Sequence, residues 1–109
     1  MKLSTTHVHG LSVVSISGSL DFFTSPELKR AVATLLEEHP DHIVFDLSEL
    51  RHVDRSGIDV LVATATQQGY TDRQVSLVGA DASIRRALER EDAELPTFEA
   101  LDQLQQRAA

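Results

Sequence analysis

The 109-residue sequence contains no cysteine and no tryptophan, and it has only three prolines and five glycines. Without cysteine there are no disulfides, thiolate-bound metals or cysteine nucleophiles, and the chain suits a reducing compartment. Its aromatics are four phenylalanines and one tyrosine, so a core must be built mainly from leucine, valine, isoleucine and alanine. The length predicts a single domain over residues 1–109.

Long apolar stretches and positive charge are also scarce. No apolar run reaches the roughly 18 residues of a membrane-spanning helix, and residues 1–6 lack the apolar region of a signal peptide. We therefore expect a cytoplasmic protein with no membrane insertion. There are 10 Lys and Arg against 17 Asp and Glu, a formal net charge of −7. This charge would repel nucleic acid and favours a protein partner, although it also serves solubility alone.

Strand-like and helix-like patterns alternate along the chain. Two strands separated only by a turn at Gly10 predict an antiparallel hairpin, and Gly18 is expected to end the second of them. Short, nearly continuous apolar runs predict later strands that are buried on both faces. The predicted strands are 3–8, 11–17, 43–47, 75–79 and a short extended piece at 95–98.

Four helices are expected between and after these strands. Thr24 and Glu27 predict a capping box at the first helix start, and either Asp81 or Ser83 is expected to cap the third helix. The predicted helices are 24–39, 56–69, a third that begins after Asp81 or Ser83 and includes residues 84–90, and 99–107, with residues 48–55 as a polar connection. The order β-β-α-β-α-β-α-(β)-α predicts an α/β fold with a mixed, mostly parallel sheet of four to five strands.

The segment from Leu50 to Ile58 contains the most informative serine. Ser56 stands where a loop meets a predicted helix, at the sheet edge where carboxyl ends of parallel strands gather binding sites. Gly57 has no side chain, so another protein's backbone could approach the hydroxyl closely. A phosphate there would add about −1.5 to −2 charges, which a partner interface would not tolerate. The structural alternative is an ordinary capping box formed by Ser56 and Asp59.

Several motifs, in order along the chain, resemble one known family. Residues 53–61 (Val-Asp-Arg-Ser-Gly-Ile-Asp-Val-Leu) resemble the Asp-Ser-Ser-Gly-Leu-Gly-Val-Leu segment of STAS-domain anti-sigma-factor antagonists. The other similar segments are the Gly-x-Leu-Asp strand end at 16–21, the helix start at 24–28, the hydrophobic-Asp-Leu-Ser strand at 43–48, and the later strand and helix at 75–79 and 86–88. The resemblance covers about residues 8–104.

In that family the serine before the glycine is phosphorylated, and the matching position here is Ser56. The resemblance implies that Asp21 and Asp54 lie near Ser56, where they would hydrogen-bond its hydroxyl, orient it or contact the partner. From the residues alone, Asp21 is equally well a turn residue and Asp54 a loop cap. Arg55 replaces the family's frequent serine and could pair with Asp54 or with a phosphate. Gly57 completes the predicted switch surface.

Partner switching is the function that the resemblance implies. The unphosphorylated chain would bind an anti-sigma factor and free its sigma factor. That anti-sigma factor, a serine kinase, would then phosphorylate Ser56 and release the chain, and a phosphatase would reset it. The ATP belongs to the kinase, so this chain needs no cofactor. Ser56 has no identifiable base in sequence, so we expect a binding protein and not an enzyme.

Two other interpretations keep the fold but change the function. The chain could be a constitutive STAS subunit of a multiprotein complex, such as a lipid-transport ABC system, without phosphorylation. It could also sense a small apolar ligand. In any of these cases an exposed edge of the N-terminal hairpin could support a homodimer.

The remaining candidate residues have simple explanations. His7 and His9 share one predicted strand face, as metal ligands would, but no third ligand is near them, so no metal site is expected. His52 could tune the switch with pH, and Arg85 with Arg86 could form a basic contact patch. Solvation of a loop and of an exposed helix face explains them equally well.

Overall fold

The apolar runs of the sequence form the strands of one sheet. The computed structural model describes residues 1–8, 10–38, 40–66, 75–90 and 97–98. The strands in these ranges are β1 (Lys2–Val8), β2 (Leu11–Leu20), β3 (His42–Val53), β4 (Val75–Val78) and β5 (Thr97–Phe98). They lie side by side in the order β1-β2-β3-β4-β5.

The pairing of the strands is mixed. β1 and β2 form the predicted antiparallel hairpin, with Gly10 in the turn at φ +81°. The other neighbouring strands are parallel, because parallel neighbours need a long crossover between them. The predicted mixed and mostly parallel sheet is therefore confirmed.

Helices provide the crossovers between the parallel strands. Those in the described ranges are α1 (Ser25–Glu37), α2 (Arg55–Thr66) and α3 (Ala82–Arg90). None of the three is long and apolar enough to cross a membrane. α3 is capped by Asp81, whose Oδ1 accepts the Ile84 N–H at 2.9 Å, so one of the two predicted caps is confirmed. The predicted fourth helix over 99–107, and Gly69 as the end of the second, lie outside the described residues.

Side chains along the central strands alternate between two apolar clusters. Phe45 belongs to the larger cluster, which also contains the apolar faces of all three helices, and Val44 belongs to the smaller one. Both are 0% exposed, which confirms that this part of β3 is covered on both faces. Full burial of such a side chain stabilises a fold by about 1.5–3 kcal/mol. Leu20, the last residue of β2, is also 0% exposed in the larger cluster, so this strand end is held by the core.

Both central strands extend further than the sequence pattern predicts. Gly18 does not end β2, since it lies with φ +87° at one of two register shifts, after which β2 continues to Leu20. Residues 48–53, predicted as a polar connection, form the second half of β3. β4 pairs with β3 only as far as Asp46, so this half pairs with β2 alone and its polar side chains are largely exposed. The predicted loop was wrong because only strands covered on both faces need continuous apolar runs.

Candidate functional site

The carboxyl ends of β2 and β3 meet at one edge of the sheet. Leu20 pairs with Val53, and the backbone N–H of Asp54 donates to the Leu20 carbonyl oxygen at 3.1 Å. The turn that follows β2, residues 21–24, therefore lies beside the start of α2. This arrangement brings the predicted site residues of two distant segments together.

Asp54 joins these two segments through its carboxylate. Oδ2 accepts the backbone N–H of Phe22 at 3.1 Å, and Oδ1 accepts the backbone N–H of Gly57 at 3.2 Å. The Asp54 carbonyl also accepts the Ile58 N–H at 3.1 Å. Asp54 is therefore the N-cap of α2, as its loop-cap interpretation predicted, and it also holds the turn after β2.

Ser56 is the second residue of α2 and is partly exposed. The alternative in which Ser56 itself caps the helix is wrong, because α2 begins at Arg55 and Asp54 supplies the cap. No hydrogen bond joins the Ser56 hydroxyl to Asp21, to Asp54 or to any other described residue. The hydrogen bond expected from an aspartate is therefore not formed.

Gly57 is buried, and its lack of a side chain serves this chain's own packing. A Cβ atom built there would lie 2.6 Å from Leu20 Cγ and 2.7 Å from Val53 Cγ2. The space beside Gly57 is thus filled by β2 and β3. The predicted reason for this glycine, access for a partner's backbone, was wrong.

Asp21 organises the turn after β2. Its Oδ1 accepts the backbone N–H groups of Phe23 at 2.9 Å and Thr24 at 3.0 Å, and the bonds from Thr24 are foremost in lowering the pKa of Asp21. The Thr24 hydroxyl accepts the Asp21 N–H at 2.8 Å and donates to the Ser19 carbonyl at 2.9 Å. It makes no cap bond to α1, so the predicted capping box with Glu27 was wrong.

A basic groove lies between the start of α2 and the face of α3. It has a volume of about 590 Å³, and its lining includes Arg55, Arg86 and Arg90 beside Asp54. The Arg55 side chain is 77% exposed and its Nε lies 4.0 Å from Asp59 Oδ1, a surface contact worth at most about 1 kcal/mol. The site thus presents arginines in a chain of net charge −7.

Phe22 and Phe23 are functional candidates that sequence reasoning missed. They are 69% and 87% exposed, and they are the large exposed apolar side chains of the described residues. Their rings meet edge to face, with centroids 5.7 Å apart. A signal was present, because these two of only five aromatics fall outside both the strand and the helix periodicities.

The other candidates are dispersed. His52 is exposed on β3, and its charge helps to lower the pKa of Asp21, so it does lie near the site. His7 is exposed on β1, with Nδ1 3.2 Å from the Ser12 hydroxyl, and His9 lies outside the described residues. No group of three or more metal-ligating side chains is found in the described part of the chain.

Fold and site together define an α/β domain with a serine at a helix start, beside a basic groove and an aromatic turn. The sequence model of the STAS domain family matches residues 2–104. The chain belongs to this family, which confirms the resemblance found in the sequence.

Named relatives and solved structures agree with this assignment. The anti-sigma-F factor antagonist RsfB of Mycobacterium tuberculosis is 28% identical over 89 residues, covering 71% of this chain and 73% of RsfB. A crystal structure of an anti-sigma factor antagonist from Mycobacterium paratuberculosis has TM-score 0.82 and 28% identity, covering 94% of this chain and 88% of its own. The phosphorylated form of SpoIIAA, a Bacillus cell fate determinant, has TM-score 0.73 and 12% identity, covering 99% of this chain and 100% of its own. This last likeness concerns the fold alone.

Proposed function

We propose that this chain is an anti-sigma-factor antagonist that binds an anti-sigma factor through the surface around Ser56 and is released when Ser56 is phosphorylated. The observation that carries the proposal is the position of Ser56 in the first turn of α2, partly exposed, with the helix cap supplied by Asp54. Because Ser56 is not the cap, its hydroxyl can be modified without removing a bond that holds the helix. The names of the relatives, which are anti-sigma factor antagonists, support the same role.

The phosphorylation step needs only an acceptor from this chain. Ser56 Oγ attacks the terminal phosphorus of ATP held by the anti-sigma kinase. The new O–P bond forms, the bond from that phosphorus to the ADP oxygen breaks, and the hydroxyl proton passes to a base of the kinase. A phosphatase then hydrolyses the serine phosphate with water and restores the hydroxyl. The chain acts by binding and contributes no catalytic group.

The added charge has opposite effects within the chain and at the interface. In the first turn of α2 an anion is favoured by about 0.3–1 kcal/mol by the helix dipole, and the neighbouring Arg55 can pair with it. In an interface, a doubly charged group buried without partners costs several kcal/mol. Since about 1.4 kcal/mol is a factor of ten in affinity, binding falls by more than about 100-fold while the fold is kept.

Binding to the purified anti-sigma factors of the source organism tests this proposal. We expect wild type and Ser56→Ala to bind one of them with similar affinity, and Ser56→Glu to bind about 100-fold more weakly or not at all. Ser4→Glu is the matched control, because it adds the same charge at an exposed position on β1 and should leave affinity unchanged. Thermal unfolding by circular dichroism should give all four proteins similar midpoints.

Phosphorylation is measured separately by incubating the chain with the bound anti-sigma factor and ATP. Intact-mass spectrometry should find one phosphate on wild type and none on Ser56→Ala. Phosphate on Ser56→Ala, or tight binding by Ser56→Glu, would contradict the switch. A wild-type chain that binds none of the anti-sigma factors would contradict the function itself.

A further inference from the structure

The turn after β2 places two large apolar rings in solvent. Phe22 and Phe23 are 69% and 87% exposed, and they contact each other edge to face with an interplanar angle of 87°. A phenylalanine buries about 150–250 Å² when it is fully covered, so aromatic side chains dominate the energy of interfaces. Aromatic side chains, phenylalanine included, are enriched in protein interfaces relative to the rest of the surface.

Hydrogen bonds preorganise the turn that carries the rings. The Phe22 N–H donates to Asp54 Oδ2 at 3.1 Å, and the Phe23 N–H donates to Asp21 Oδ1 at 2.9 Å. Thr24 adds the bond from its hydroxyl to the Ser19 carbonyl at 2.9 Å. Because the backbone is already held, a partner that takes up the rings pays little ordering entropy.

The ring pair is continuous with the surface around Ser56. The carboxylate of Asp54 that holds Phe22 also caps α2, whose second residue is Ser56. Asp54 and Asp21, which accept the N–H groups of Phe22 and Phe23, lie beside the rings, and Asp54 also lines the arginine-containing groove. An apolar centre within a polar rim is the usual anatomy of a protein interface.

The chemistry of the turn favours a protein pocket over a membrane or a second copy. Asp21 and Asp54 beside the rings, and a net charge of −7, oppose attraction to anionic lipids. Burying both rings would cover about 300–500 Å² per protomer, whereas a stable interface needs about 800 Å² from each partner. The remaining area has to come from the surface around Ser56, which the proposed function assigns to a different protein.

We propose that Phe22 and Phe23 are the anchor of the anti-sigma-factor interface, inserted into an apolar pocket of that partner, and that Asp54 positions them relative to Ser56. This inference rests on the proposed function. It assigns most of the binding energy to Phe22 and Phe23, whereas phosphorylation of Ser56 causes release. The partner's pocket must be apolar and wide enough for two rings in edge-to-face contact.

A double variant tests the anchor in the binding assay with purified anti-sigma factor. We expect Phe22→Ala/Phe23→Ala to bind at least about 100-fold more weakly than wild type, with an unchanged thermal midpoint, since the rings are exposed. Leu36→Ala is the matched control, because it removes a partly exposed apolar side chain near the other end of α1. It should bind as wild type does, even if its midpoint falls.

Ser56→Glu in the same assay separates the two proposals. If wild type binds, Ser56→Glu does not, and the double alanine variant binds as wild type does, the anchor is wrong and the switch stands. If Ser56→Glu also binds as wild type does, the switch fails as well, and if wild type binds no anti-sigma factor, the proposed function fails. Loss of binding by the double variant but not by Leu36→Ala supports the anchor.

Two further measurements test the other possible partners of the rings, which are a second copy of the chain and a membrane. Light scattering of the chain alone should give the same oligomeric state for wild type and for the double alanine variant. Sedimentation with phosphatidylglycerol vesicles should show no binding by either. A wild-type dimer that the double variant abolishes would overturn the anchor in favour of a second copy, and ring-dependent vesicle binding would overturn it in favour of a membrane.

Discussion

At Gly57 the backbone of α2 passes so close to the ends of β2 and β3 that a side chain has no room. A Cβ atom there would lie 2.8 Å from the carbonyl oxygen of Leu20, as well as against the Leu20 and Val53 side chains. That oxygen accepts the Asp54 N–H, so it cannot shift without disturbing the site. The glycine therefore determines how closely the Ser56 helix approaches the sheet.

We expect Gly57→Ala to lower the free energy of unfolding by about 1–3 kcal/mol, the usual cost of overpacking. The sign is informative, because replacing an unhindered helical glycine by alanine stabilises by about 0.5–1 kcal/mol. Urea denaturation followed by circular dichroism measures the change. Ser56→Ala, one residue earlier and partly exposed, is the control and should stay within about 0.5 kcal/mol of wild type. A stabilised Gly57→Ala protein would contradict the close contact.

Ser56 illustrates what local sequence leaves undecided at a single residue. Asp and Ser are nearly equal as N-caps, so Asp54 and Ser56 were both acceptable caps for α2. The bond from the Phe22 N–H to Asp54 comes from another segment and selects Asp54. Sequence motifs located the candidate residues, but which of them is engaged in the fold depends on this long-range contact.

At the scale of elements, Asp54 connects the start of α2 with the turn between β2 and α1. Asp81 caps α3 in the same way, with its Oδ1 accepting the Ile84 N–H at 2.9 Å and the Ser83 hydroxyl at 3.1 Å. Asp81 differs in one respect, because both of these bonds are local to the start of α3. Substituting each aspartate in turn therefore distinguishes the loss of a helix cap from the loss of the bond that positions Phe22 and Phe23.

Asp54→Ala should cost about 0.5–2 kcal/mol of stability, the range observed for the loss of an N-cap. It should also weaken binding to the anti-sigma factor, because the Phe22 N–H loses its acceptor and the turn that carries the two rings is no longer held in place. Asp81→Ala should cost comparable stability and leave affinity close to wild type. Urea denaturation and a binding titration measure the two effects. Equal losses of affinity in both variants would mean that Asp54 acts only as a cap.

At the scale of the whole molecule, the stability should depend on pH through the contact between β3 and β4. His42 Nε2 lies 2.8 Å from the hydroxyl of Ser76, which is 1% exposed. Burial lowers the pKa of His42 below its ordinary value of 6.5. The folded chain thus keeps this imidazole neutral at a pH where the unfolded chain already protonates it.

Below about pH 6.5 the unfolded state takes up this proton first, so the contribution of His42 to stability is complete above that pH and is lost as the pH falls toward the lowered pKa. We expect the urea midpoint of wild type to decrease between pH 7.5 and 5.5, and His42→Asn to show a smaller decrease. If the urea midpoint of His42→Asn decreased as much as that of wild type, the pH dependence would arise from a group other than His42.

The sequence by itself determined the order of strands and helices, the hairpin, the mostly parallel sheet and the family. The order of strands and helices, the hairpin and the sheet follow from patterns that are local in the chain, because apolar side chains recur with a period of two in strands and 3.6 in helices. The family follows from the motifs that resemble it. In α1, Leu28, Val32 and Leu35 are spaced by four and three residues and lie in the core, as does the buried run of β3.

Only the tertiary structure decided that β3 continues to Val53, that Asp54 and not Ser56 caps α2, and that Phe22 and Phe23 stand in solvent beside the site. Each outcome depends on a partner that is distant in the chain, as with the bond between Phe22 and Asp54, which are 32 residues apart. A cap, a strand end or an exposed ring is settled by competition among such partners. The local sequence pattern identifies the residues that could form such a contact but does not determine which of them forms it.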